Sequence, residues 1–184
     1  MTPQITLHYF HNSNNFQAIA DLEQCPISKG VWCLYGYKNN SWTCLQVARS
    51  NDIIAELRSD IACIINPITP KETPYNYINQ FGQKANEFKI YPTIRSQVYS
   101  KIGNDFANSK LYFFIIEFLD ISDQKEVEKF FAYKTKALYW RNGGSYKTEC
   151  TVDITKLLSS ITPTPEMINT FNKMITHIEK QVEN

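Results

Sequence analysis

The chain has 184 residues, 43% of them hydrophobic and 20% charged, with a formal net charge of +1. That length suits a single domain, 1–184, with a real core, and the near-balanced charge excludes a whole-protein field that would draw in nucleic acid or membrane. Nothing approaches the roughly 18–20 apolar residues of a membrane span, and "MTPQITLHYF" lacks the basic flank and apolar run of a signal peptide. The five cysteines, Cys25, Cys33, Cys44, Cys63 and Cys150, contain no CxxC pair. The expectation is a cytoplasmic protein with reduced, mostly buried thiols.

The first thirty residues set a short apolar run, "ITLHYF", against polar punctuation, and "FQAIADLEQ" suggests a helix stopped by Pro26. His8 and His11 stand at a metal-binding spacing only if the segment is helical, and no two further ligands stand at matching distances. "GVWCLYGY" and "WTCLQVA" read as strands, joined by "KNNS", whose asparagines tolerate left-handed turn geometry. Ser50 or Asn51 is the expected cap of the next helix, with Asp52 in its first turn. Ile53, Ile54, Leu57, Ile61, Ile64 and Ile65 repeat on one helical face until Pro67.

Residues 66–110 are less regular. "NPITPKETPYNYINQFG" reads as a long connection, followed by a helix from about Thr93 to Ile102. Leu111 to Leu119 is nearly continuous apolar sequence, the mark of a fully buried strand. The next helix, over "SDQKEVEKFFAYKTKALYW", has Ser122 as cap and runs to the paired glycines of "RNGGS". After a Pro/Thr joint, a last helix from Pro165 to about Gln181 is amphipathic through Met167, Ile168, Phe171, Met174, Ile175 and Ile178. It can pack on the domain or pair with another chain as a homodimer. The order predicts an α+β fold: a small antiparallel sheet, made of a hairpin plus a buried central strand, flanked by helices.

This order resembles the GIY-YIG nuclease domain. Gly30-Val31-Trp32 stands in the place of the first motif and Gln46-Val47-Ala48 in the place of the second. The resemblance covers a core of 29–142 with an insert at 66–110, leaving 160–184 as a C-terminal helix. It implies phosphodiester hydrolysis with one divalent cation such as Mg²⁺: a tyrosine helps activate water, an arginine neutralises phosphate, and a glutamate holds the metal. Glu128 matches that glutamate, and Asn142 falls near the family's closing asparagine.

Other positions depart from the pattern. Trp32 and Gln46 replace the two tyrosines, and Ala48 replaces the glycine. Eight residues beyond Ala48, where the family arginine falls, stands Glu56. Arg58, two residues further, is about 200° around the helix. Arg49, at the strand–helix junction, is the other arginine able to face phosphate. Tyr35 and Tyr37 carry hydroxyls on the hairpin, but strand alternation puts Tyr35 on the face opposite Trp32.

The implied catalytic set is therefore Trp32, Gln46, Arg49, Arg58 and Glu128, with Glu128 also the metal ligand. A surface for nucleic acid is expected between Lys129 and Lys147. There Lys129, Lys134, Lys136, Arg141, Asn142 and Lys147 alternate with Tyr133, Tyr139, Trp140 and Tyr146, without a carboxylate. The plain alternative for this stretch is a solvated helix face beside core aromatics. The resemblance implies a metal-dependent DNA endonuclease, with restriction-type members of the family as the model for its divergent motifs. Its rival is a catalytically inactive domain of the same kind that binds nucleic acid or a protein partner. P-loop, dinucleotide-glycine and Ser-His-Asp patterns are absent from the sequence.

Overall fold

A computed structural model of the chain describes residues 5–11, 29–67, 75–78, 84–88, 94–106, 109–117, 124–140 and 161–181. The central hairpin joins β2 (Gly30–Lys38) to β3 (Ser41–Ser50). Its two-residue loop is Asn39-Asn40, with φ of 53° and 58°. Two left-handed residues in succession give the turn whose twist matches that of the strands, and asparagine is among the few residues that adopt it cheaply. β6 (Lys110–Glu117) lies antiparallel beside β2, and β1 (Ile5–His11) lies antiparallel beside β6. The sheet order is therefore β1-β6-β2-β3. Every residue from Leu111 to Ile116 is buried, as the apolar run predicts for a strand covered on both faces. The protein is α+β.

The apolar "ITLHYF" stretch forms β1. His8 and His11 are thus on a strand, and the helical spacing on which a metal reading would depend is not there. The segment "FQAIADLEQ" lies outside the described residues. The long connection holds a small separate hairpin, β4 (Tyr75–Ile78) with β5 (Lys84–Phe88). After it, α2 spans Ile94–Asp105.

The sheet separates two apolar cores. On one face, Trp32, Leu34, Phe113 and Ile115 pack against Ile53, Leu57, Ile61 and Ile64 of α1 (Ile53–Ile65) and against Val98, Tyr99 and Ile102 of α2. On the other face, Val31, Cys33, Phe114 and Ile116 pack against Val127, Phe130 and Phe131 of α3 (Gln124–Thr135). Met167, Met174 and Ile178 of α4 (Pro165–Lys180) close the same core. The amphipathic last helix thus spends its stripe on its own domain, apart from Ile168, which is 43% exposed.

Three local features differ from the sequence expectation. The cap of α1 is Asp52 itself, whose Oδ1 accepts the Ala55 N–H at 3.0 Å, while Ser50 Oγ accepts the N–H of Asp52 at 3.1 Å. Helix α3 stops at Thr135, well short of the glycine pair, because Lys136 turns left-handed with φ of 50°. The N–H of Ala137 then reaches the carbonyl of Ala132 at 3.1 Å and that of Lys136 the carbonyl of Tyr133 at 3.2 Å, a Schellman ending built without glycine.

The third feature is a bulge in the hairpin. Leu34 pairs with Gln46 but Tyr35 pairs with Cys44, leaving Leu45 as the extra residue of β3. The consecutive carbonyls of Cys44 and Leu45 accept the N–H groups of Leu138 at 3.0 Å and Tyr139 at 2.8 Å. The segment released by the end of α3 therefore covers the outer edge of β3. It straddles that edge, with Tyr139 entering the first core and Trp140 the second.

Candidate functional site

The bulge and the early end of α3 jointly deliver Trp140 to Glu128. Its Nε1 donates to Glu128 Oε1 at 3.0 Å, and the other carboxylate oxygen, Oε2, accepts from Arg49 Nε at 3.1 Å. Arg49 reaches it because its register partner is Val31, whose side chain lies in the core beneath α3. The Arg49 side chain is 45% exposed and that of Glu128 only 14%. Burial raises the Glu128 carboxyl above its ordinary value; the Trp140 hydrogen bond and the Arg49 charge pull it back, and the negative charge of Glu56 pushes it up again. Glu56, on the first turn of α1, thus acts on the same carboxylate.

Trp32 and Gln46 do not join this group. Trp32 is wholly buried in the opposite core, with Phe113 at 5.7 Å and Tyr99 at 6.3 Å between ring centroids. Its Nε1 has no acceptor among the described residues. Gln46 pairs with Leu34 and so shares the Trp32 face; its Oε1 accepts the N–H of its neighbour Val47 at 3.1 Å. The sheet therefore lies between these two residues and the Arg49–Glu128–Trp140 cluster. Arg58 is on the exposed side of α1. Tyr35 is buried on the α3 face, opposite Trp32 as alternation predicts, and burial raises its hydroxyl far above the usual phenol value.

The expected nucleic-acid stretch is divided. Lys129 pairs with Glu126 Oε1 at 3.3 Å, one turn away on its own helix. Lys134 and Lys136 are exposed. Tyr139 and Trp140 are buried and serve as core aromatics, so they offer no face for stacking. Arg141, Asn142, Tyr146 and Lys147 lie outside the described residues. Sequence reading missed Trp140 as the partner of Glu128 and Glu56 as its electrostatic neighbour. The count that brings Glu56 to the family's arginine position was the available signal for the latter.

Among the described residues no three His, Cys, Asp or Glu side chains group as a metal site. No helix among them is long and apolar enough to cross a membrane. Comparison with protein-family models, with curated proteins and with solved structures gives no match.

Proposed function

We propose that the chain is a GIY-YIG-like domain that binds nucleic acid without cutting it. The observation that carries this reading is the Glu128 carboxylate, both of whose oxygens are held by side chains of the protein itself, Trp140 and Arg49. The positions where the family has its tyrosines hold Trp32 and Gln46, neither of which can titrate and both of which are buried in the other core. Support for nucleic acid comes from Lys134 and Lys136, exposed and free of a neighbouring carboxylate in sequence. The test is incubation with supercoiled plasmid in Mg²⁺ or Mn²⁺ alongside a gel-shift series in rising salt. Salt-sensitive binding with no nicked or linear product is the expected result; metal-dependent cleavage lost in Glu128→Ala would overturn it.

One observation favours a second reading, a Mg²⁺-dependent DNA endonuclease of restriction type. Arg49 pairs with Glu128, whose carboxyl also feels the negative charge of Glu56, and Mg²⁺ is commonly held by one or two carboxylates together with phosphate oxygens. In that reading Glu128 would hold the metal, and Arg49 would leave it to meet the phosphate, with Arg58 as the alternative partner. Lys129, Lys134, Lys136, Arg141, Asn142 and Lys147 would grip the backbone. The same plasmid assay separates the two.

A further inference from the structure

We infer that the row Lys110–Tyr37–Trp42, at the tip end of the hairpin, is a stacking platform for single-stranded nucleic acid. This rests on the nucleic-acid reading above and names the surface that would carry it. Tyr37 is the register partner of Trp42 on β3 and of Lys110 on β6, so the three side chains stand side by side on one face of the sheet. The Tyr37 and Trp42 rings are 4.8 Å apart at 45°, and Trp42 meets Tyr112 edge-on at 5.0 Å. Tyr112 is held in turn by a hydrogen bond with Gln181, just past α4, at 3.1 Å.

Among the described residues, the row lies where the cover of this face runs out. Helix α3 ends at Thr135, and the chain crosses the β3 edge at Cys44, two residues from Trp42. Tyr37 and Trp42 are consequently half-buried, whereas the aromatics further along the same face, Tyr35 and Phe114, are buried. Lys136, beside that crossing, and Lys134, two residues earlier, are exposed, and Lys110 closes the row on β6. Aromatic side chains already fixed by their neighbours, with amines beside them, match unpaired bases joined by phosphates. A duplex keeps its base faces stacked and offers this row only its backbone.

The protein reports on the contact itself. Trp32 and Trp140 are buried, so a base stacking on the surface acts first on the fluorescence of Trp42. Titration of the full chain with oligo(dT), and with a duplex of matched length, should show quenching and tighter binding for the single strand. Tyr37→Ala should weaken that binding by roughly 5- to 150-fold, as for other base–aromatic contacts. Tyr37→Phe should retain it, and circular dichroism of both variants confirms that the fold is kept. Binding of oligo(dT) without quenching and unchanged in Tyr37→Ala would overturn the platform while leaving nucleic-acid binding standing. Duplex bound as tightly as single strand would overturn the single-strand assignment. If neither oligonucleotide binds, the nucleic-acid reading and the platform fall together.

Discussion

Trp140 donates its indole N–H to Glu128 across 3.0 Å, closing a loop from helix α3 through the β3 edge and back to the same helix. Trp140 is 1% exposed, so the carboxylate is what satisfies a buried donor. Removing the acceptor should cost more than removing the charge. Glu128→Ala leaves the indole N–H buried without a partner, a loss of about 1–3 kcal/mol. Glu128→Gln keeps an acceptor oxygen, and the Arg49 side chain it abandons is largely in water. Urea denaturation at neutral pH should rank the alanine variant clearly below the glutamine variant.

The pH dependence of the same residue has a definite sign. Burial holds the Glu128 carboxyl above its ordinary value of 4.5. A raised folded-state pKa stabilises the fold fully below the unfolded pKa, and that contribution is lost as pH rises through the folded value. Wild type should therefore lose stability relative to Glu128→Gln as pH rises from about 4 through the folded value. Urea midpoints of both proteins across that range measure the difference; a gap that moves the other way contradicts the assignment.

Lys136 ends α3 in a conformation that costs an L-residue roughly 1–2 kcal/mol. Glycine adopts it freely but adds entropy to the unfolded chain, so Lys136→Gly should gain about 1 kcal/mol net. For a domain of this size that raises Tm by about 2–4 °C, measurable by calorimetry.

Gly103 marks the crossing of α1 and α2. A Cβ there would run into the carbonyl oxygen of Ile64 and lie 2.9 Å from Pro67 Cγ. A backbone carbonyl in a helix cannot swing aside as a side chain can, so the helices must separate. Gly103→Ala should destabilise by roughly 1–3 kcal/mol in chemical denaturation.

Cys33 and Cys44 are buried neighbours in the core beneath α3, and burial is the main cause that raises both thiols, Cys44 to about 12. Neither forms appreciable thiolate near pH 8, so both should resist iodoacetamide in the native protein. Peptide mapping should find them alkylated only after denaturation.

The elements that could be read in advance are those with a short-range cause. Asn39-Asn40 specifies its turn through backbone chemistry, Pro165 starts α4, and Leu111 to Ile116 announces a strand with no solvent face. Alternation alone separates Trp32 from Tyr35, and it also separates Gln46 from Arg49, three residues further along one strand. The family resemblance gathers Trp32, Gln46, Arg49 and Glu128 into one site, which the period of a strand already resists.

Local pattern along the chain is enough for the α+β order, the central hairpin, the buried strand beside it and the apolar stripes of α1 and α4. Tertiary structure alone decided where α3 ends, where β3 bulges, and hence that Trp140 and Arg49 share the carboxylate of Glu128. Lys136 carries no local signal for a left-handed turn; it adopts one because the segment after it gains two hydrogen bonds on the carbonyls that the bulge turns outward. Those partners lie some ninety residues back along the chain, beyond the reach of any local pattern.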